Sequence, residues 1–431
     1  MPEAGCLFSV EPCRSNPHYR WVVCGLPAEL TPRCTPDMLA GVHLPTARAR
    51  PSWLWVSVFG LIALAGIASR EWALLHQPGA WGRFFSGPGD FPPQAVVTAF
   101  LHGQSVAAAY AQLGPSGYPS PYPLPYLLAF MPIGLLGDPV IRPVVILGCA
   151  CLFIVSLTLL GGGLRNPGTW PVLISVPVLD SLLSSHLPSE VGLTGLCLAA
   201  WAQPRRRWVL LGVGMAMGLI RPPNALPLLA VLVYSSWGEW RGLLKAAAAG
   251  ACVLLPLVLF AFLLDPGWLS AYRTNLGTTV YAGLPLVLVD LGGAWALVLL
   301  QVATILGALY LVRSRRGQPL EADQAAYAIS LGVLSSKLSG VYSGIYALPA
   351  VARLGLRGQL SWTPWIASGA AWLLEITFLP SMLAGAPGPP GWESVLAYWF
   401  VFAAWPLAMP RSDVGQVKTG SQTGLARFPR D

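Results

Sequence analysis

Long apolar runs broken by short clusters of positive charge dominate this chain. The clusters are Arg205-Arg206-Arg207, Arg241 with Lys245, Arg313-Ser314-Arg315-Arg316, and Arg353 with Arg357. In hydrocarbon every backbone polar group must be satisfied within the protein, which leaves helices or closed barrels as the spanning solutions. The runs show no period-two alternation of strands, so the expectation is an all-α polytopic membrane protein. Composition agrees: 55% of residues are hydrophobic and 10% charged, where a soluble domain carries roughly 25% charged residues. The formal net charge of +8 follows from basic loops that hold one side of a membrane. No basic patch interleaved with aromatics asks for a nucleic acid.

Residues 1–50 contain no apolar core of the kind that marks a secretory signal. They are Pro-rich and aperiodic and read as a disordered leader. Their cysteines, Cys6, Cys13, Cys24 and Cys34, match no zinc spacing, and C-x₂-C is absent. Cys149, Cys151, Cys197 and Cys252 fall in apolar runs and are expected to be small buried hydrophobes. The integral domain is expected over 51–410, with 411–431 a disordered cytoplasmic tail.

The first span is read at Trp53–Ala68. A long loop, 69–122, follows on the outer side, with an amphipathic helix expected over 93–112. Leu124–Leu136 is apolar but only about 13 residues long, short of the roughly 20 that a span requires. Further spans are read at 144–160, 171–183, 191–201, 246–264, 294–312, 362–378 and 395–409. Two more runs, 208–234 and 325–351, are broken in the middle. Counting back from Arg205-Arg206-Arg207 puts the SSHLPSE turn (184–190) outside. That parity requires Leu124–Leu136 to be re-entrant or tilted, or one neighbour not to cross fully. The total is ten to twelve transmembrane or re-entrant helices.

Candidate chemistry lies at the polar interruptions. Asp90 heads the outer loop after Gly87-Pro88-Gly89. It fits a general base and equally an N-cap for the helix that follows. Tyr118 and Tyr122 belong to a stiff Tyr/Pro segment; they fit interface anchors or ring faces for a sugar. Arg221 and Lys337 each sit where an apolar run breaks. A charge at membrane depth costs about 2.5–3.5 kcal/mol on insertion scales and faces a cavity, so the pair fits a pocket for a lipid phosphate. The competing reading is two charges snorkelling to an interface. His186, Ser189 and Glu190 form a third interruption, and His102 and Gln104 lie on the expected loop helix. H-E-x-x-H, P-loop, G-x-G-x-x-G and nucleophile-elbow motifs are all absent. No metal or cofactor is expected.

Four stretches occur in a recognisable order: GDFPPQAVVTAFLHGQ, YPSPYPLPYLLAFMPIGLL, VLLGVGMAMGLIRPPNALPLL and SSKLSGVYSGIYALP. Together they resemble the GT-C-type glycosyltransferases that use polyprenyl-phosphate sugars, specifically the glycosyltransferase 87 mannosyltransferase family. The resemblance implies a multi-pass protein of the cell membrane with its active site on the extracytoplasmic side. Asp90 would be the catalytic base. Arg221, in place of a Lys-Pro, would hold the phosphate. Tyr118, Tyr122, His102, Gln104, His186, Glu190, Lys337 and Tyr342 fall in the segments that would line the substrate site. The donor would be a polyprenyl-phosphate hexose and the acceptor a lipid, glycan or protein. The late motif differs from the family pattern in carrying Tyr342 and Tyr346 where histidines are usual. A transporter or flippase of a lipid-linked sugar is the rival reading.

Overall fold

The computed structural model describes residues 57–66, 68, 102–104, 122–136, 140–183, 186–278, 292–336, 341–383 and 392–409. The chain divides into two units, Met1–Arg50 and Pro51–Asp431, and every described residue belongs to the second. Among the described residues the architecture is all-α, with no strand.

Chain order begins with α1 (Ser57–Gly66), then two short pieces, α2 (Leu124–Ala129) and α3 (Met131–Gly134). α4 (Ile141–Ser156) continues into a π turn at Leu157–Gly161. α5 (Thr169–Leu173), α6 (Val176–Leu183) and α7 (Leu187–Ala202) follow. Next come α8 (Trp208–Gly218), α9 (Pro222–Ser235), α10 (Trp240–Leu264) and α11 (Trp268–Thr278). The chain then forms α12 (Ala294–Leu311) and α13 (Ala322–Leu331). A 3₁₀ stretch at Val341–Ala347 leads into α14 (Leu348–Leu354). Last are α15 (Thr363–Leu383), α16 (Trp392–Ala403) and a 3₁₀ turn at Trp405–Ala408. Among the described residues, Ile141–Gly161 and Trp240–Leu264 are long and apolar enough to cross a membrane.

The helices share a polarity. α7 rises about 24 Å over its 16 residues, starting beside His186 and ending at Gln203. The Gln203 side chain donates to Ser236 Oγ at 3.2 Å and accepts from the Leu320 amide at 2.9 Å. Tyr234 Oη donates to the Arg313 carbonyl at 2.9 Å. Arg353 reaches the Leu160 carbonyl at 2.9 Å. The ends of α4, α7, α9 and α12 and the start of α13 therefore share one end of the bundle, with Arg205–Arg207 and Arg313–Arg316. At the other end, Arg142 at the start of α4 donates to the Leu183 carbonyl at the close of α6, 2.9 Å away. Tyr122, Leu124, Ile141, Leu187, Ile220 and Trp268 form one apolar cluster there.

Tyr122 and Ile141 share a cluster, so 124–136 leaves and returns at the same end. Pro125 and Pro132 sit in the first turns of its two helices, of six and four residues. The two broken runs are hairpins. α8 and α9 turn at Leu219–Arg221, and α13 returns through Val341–Ala347 into α14. At 11 and 14 residues, α8 and α9 reach about 17 and 21 Å, short of a bilayer's hydrocarbon core. Their turn brings Arg221 to the Tyr122–Ile141 end, opposite the basic clusters.

α7, α8 and α10 touch backbone to backbone. A Cβ on Gly214 would lie 2.6 Å from the Gly195 carbonyl oxygen, and one on Gly212 would lie 2.0 Å from that of Ala246. This is the small-residue packing that lets apolar helices associate without side chains between them. At the basic end Asp323 ties the last third of the chain together. It pairs with Arg353 and, at 2.8 Å, with Arg357, whose Nη1 donates to the Pro406 carbonyl at 2.7 Å. Burial alone would raise the Asp323 pKa, but the two guanidiniums outweigh burial and hold it below the usual carboxylate value.

The four internal cysteines divide. Cys149 and Cys197 are buried as expected, whereas Cys151 and Cys252 are exposed on the outward faces of α4 and α10. Those faces are themselves apolar: Leu147, Leu255 and Leu259 are exposed on them. A cysteine in an apolar run is therefore no sign of which face of the helix it lies on.

Candidate functional site

Arg221 ends the turn between α8 and α9. Its φ/ψ of −126°/82° is non-helical, and Pro222 at the first helical position fixes where α9 starts. The side chain is buried, 8% exposed. Arg221 Nη2 donates to Tyr122 Oη at 2.9 Å, and Nη1 lies 3.4 Å from Ser343 Oγ. The guanidinium carbon stands 5.3 Å from the centre of the Tyr122 ring and 4.9 Å from that of Tyr342. Among the described residues no carboxylate pairs with it. The cation is held by hydroxyls and ring faces, which favour a positive charge without neutralising it.

Other elements close around it. Tyr122 Oη is 3.1 Å from Ser189 Oγ, and Tyr346 Oη donates to the Ser189 carbonyl at 3.0 Å. His186, just before α7, stacks on Tyr342 with ring centres 3.9 Å apart. Gly192 leaves the room that Tyr346 occupies: a Cβ there would lie 2.6 Å from the tyrosine oxygen. Glu190 is fully buried; Ser181 Oγ donates to its Oε1 at 2.8 Å, and Oε2 has no hydrogen-bond partner. Asn224, in the first turn of α9, is 1% exposed, and neither its Nδ2 nor its Oδ1 has a partner. A buried amide with both ends unmatched calls for a ligand with paired donor and acceptor groups or for bound water.

The structure thus brings Tyr122, Arg221, His186 and Tyr342 into one contact network, with Glu190 one residue beyond Ser189. His102 and Gln104 lie on an exposed turn. Asp90, Tyr118 and Lys337 lie outside the described residues. Sequence reading does not single out Asn224, Ser181 or Ser343. For Asn224 a signal existed: it is a polar residue directly after Arg-Pro-Pro in an apolar run. Ser181 and Ser343 carry no local signal; only the fold gives them partners.

The arrangement can receive an anion. Among the described residues, a phosphate would meet a cation that no carboxylate pairs with, together with the hydroxyls of Tyr122 and Ser343. In this conformation the cluster is closed, with Tyr122 2% exposed. An arriving anion must take the position of Tyr122 Oη on Arg221. Among the described residues no group of three or more His, Cys, Asp or Glu side chains is placed to hold a metal ion. No family model, no curated protein and no solved structure matches this chain.

Proposed function

We propose that this chain is a multi-pass membrane glycosyltransferase that moves a hexose, by resemblance mannose, from a polyprenyl-phosphate donor to an extracytoplasmic lipid, glycan or protein acceptor. The observation that carries this reading is Arg221, a buried cation whose partners are hydroxyls and aromatic rings.

Membrane insertion is supported by α10. It is long and apolar, yet only 6% of its most apolar window is buried, so it is not the core helix of a soluble domain. The outward face of α12 is likewise apolar, with Trp295, Leu299 and Leu306 exposed. Contiguous apolar surface on this scale requires a cover, and lipid supplies it. The basic clusters gathered at one end support a cytoplasmic placement of that end. Arg221 then lies toward the extracytoplasmic side.

In this reading Asp90 takes the proton from the acceptor hydroxyl, and the oxygen attacks the anomeric carbon. The bond from that carbon to the phosphate oxygen breaks, its electron pair leaves with the lipid phosphate, and the anomeric configuration inverts. Arg221 stabilises the charge that grows on the departing phosphate. The test is transfer of radiolabelled sugar from polyprenyl-phosphate donors by purified protein, wild type beside Asp90→Asn. Transfer by the wild type that falls about 10²–10⁴-fold in the variant is the expected result. Full transfer by the variant removes Asp90 from the mechanism.

The rival transporter reading has one observation in its favour. Two interrupted hairpins, α8–α9 and α13–α14, meet at the buried charge, as broken helices do in secondary transporters. Translocation of the lipid-linked sugar by an Asp90→Ala variant, with no transfer by the wild type, selects it.

A further inference from the structure

At the basic end of the bundle a cavity of about 1060 Å³ opens between the end of α12, the start of α13, Arg353 and Arg357 near α14, and the turn after α16. It is unrelated to the Arg221 cluster. Its charged wall holds Arg313, Arg353 and Arg357 against Glu321 and Asp323, which leaves it net positive. Arg353 and Arg357 are fixed by Asp323 and by the carbonyls of Leu160 and Pro406, so the wall is preorganised. Arg313 is exposed and lies over the Tyr310 ring, 3.8 Å from its centre. In the same lining, Gln324 spends its amide nitrogen on the Leu311 carbonyl at 3.3 Å, and its buried Oε1 has no partner. That oxygen asks for a donor.

The opposite wall is apolar. Gly307, Tyr310 and Leu311 line the cavity. From there Tyr310, Leu306, Val302 and Leu299 form an exposed stripe back along α12, at the spacing of one helix face. A positive compartment with one unmet acceptor therefore opens onto an outward hydrocarbon track. Those are the complements of an anionic head with a hydroxyl and of an acyl chain.

We propose that this cavity binds the headgroup of an anionic, hydroxyl-bearing phospholipid of the phosphatidylglycerol type from the leaflet at the basic end. The phosphodiester meets Arg313 and the Nη2 donors of Arg353, a headgroup hydroxyl donates to Gln324 Oε1, and one acyl chain follows α12. The proposal rests on the membrane reading above and not on glycosyl transfer.

The test uses full-length protein extracted in mild detergent. Lipid retention is read by native mass spectrometry, and thermal unfolding is followed with added phosphatidylglycerol, phosphatidylcholine or glycerol 3-phosphate. The expected result is retention and stabilisation by phosphatidylglycerol over phosphatidylcholine. Arg313→Gln should weaken it about tenfold, the size of one charge-assisted contact. Arg313 is exposed and outside the Asp323 pairs, so the variant should unfold at the wild-type temperature when no lipid is added. Equal retention of both lipids, or undiminished binding by Arg313→Gln, overturns the proposal. Equal stabilisation by glycerol 3-phosphate overturns the lipid source. Protein recovered in the aqueous fraction without detergent overturns the membrane reading itself, an outcome distinct from the others.

Discussion

Arg221 Nη2 donates a hydrogen bond to Tyr122 Oη at 2.9 Å across 99 positions of sequence. The bond joins the residue just ahead of α2 to the turn of the α8–α9 hairpin, and it occupies the guanidinium in the closed state. Arg221→Lys keeps the charge but loses the planar donor fork and its fit between two rings. It should cut transfer about 10²-fold, and Arg221→Ala about 10³-fold. Tyr122→Phe removes the competing hydroxyl but keeps the ring face. Steady-state kinetics with varied donor should show tighter or unchanged donor binding for Tyr122→Phe. A loss as large as that of Arg221→Ala would assign the hydroxyl to the chemistry instead.

Asn224 sets stability against function. Its two unmatched amide atoms each cost about 1–3 kcal/mol of desolvation. Asn224→Leu is close in volume and removes both. The expected outcome is a higher unfolding temperature together with weaker donor binding. A variant that is more stable and fully active would make the orphaned amide a plain defect.

The Asp323 pairs carry a signed pH dependence. The folded pKa is depressed by Arg353 and Arg357. The stabilisation is therefore complete above the unfolded value, about 3.9, and is lost as pH falls through the folded value. At pH 7 Asp323→Asn leaves two arginines without their counter-charge and should cost about 3 kcal/mol. Thermal unfolding from neutral pH downward should show the wild-type and variant curves far apart at pH 7 and converging in acid. Parallel curves would show that the carboxylate charge is not what holds the three residues.

The exposed cysteines report what covers the outer faces. Cys151 and Cys252 are exposed and Cys149 and Cys197 are buried. In intact membranes a hydrocarbon-soluble diazirine, whose photogenerated carbene inserts without needing a thiolate, should label Cys151, Cys252 and their outward-facing neighbours and spare Cys149 and Cys197, as mapped by fragmentation mass spectrometry. A charged, impermeant reagent should modify none of the four. Rapid modification of Cys252 by the charged reagent would put α10 in water and end the lipid-facing assignment.

Arg221 was legible in the sequence because a lone charge beside two prolines is conspicuous in an apolar run. Tyr122, His186, Glu190 and Tyr342 were legible as polar or aromatic interruptions, but not as neighbours. Their meeting depends on two hairpins and on the return of 124–136 to the end it leaves, and hydropathy cannot tell a short span from a turn back. The same blindness applies to faces: Cys252 and Cys197 look alike in sequence, yet one lies on the outward face of α10 and the other inside α7. Asn224 was missed because an amide carries no charge to draw notice; its unmet hydrogen bonds exist only after Gly332 and its neighbours close over α9. The helical class itself needed no fold, since backbone satisfaction in hydrocarbon leaves few alternatives.

The Asp323 pairs also bear on how such a chain is made. α13 is only ten residues long and begins beside a carboxylate whose partners lie 30 and 34 residues downstream. Its Arg357 partner in turn needs the Pro406 carbonyl near the end of the last helix. In synthesis Asp323 therefore lacks its counter-charges until Arg353 and Arg357 follow 30 and 34 residues later, and Arg357 meets the Pro406 carbonyl only 49 residues after that. The start of α13 is thus held by residues that all come after it in the chain, whereas the contacts that gather around Arg221 are complete once Tyr346 has been made.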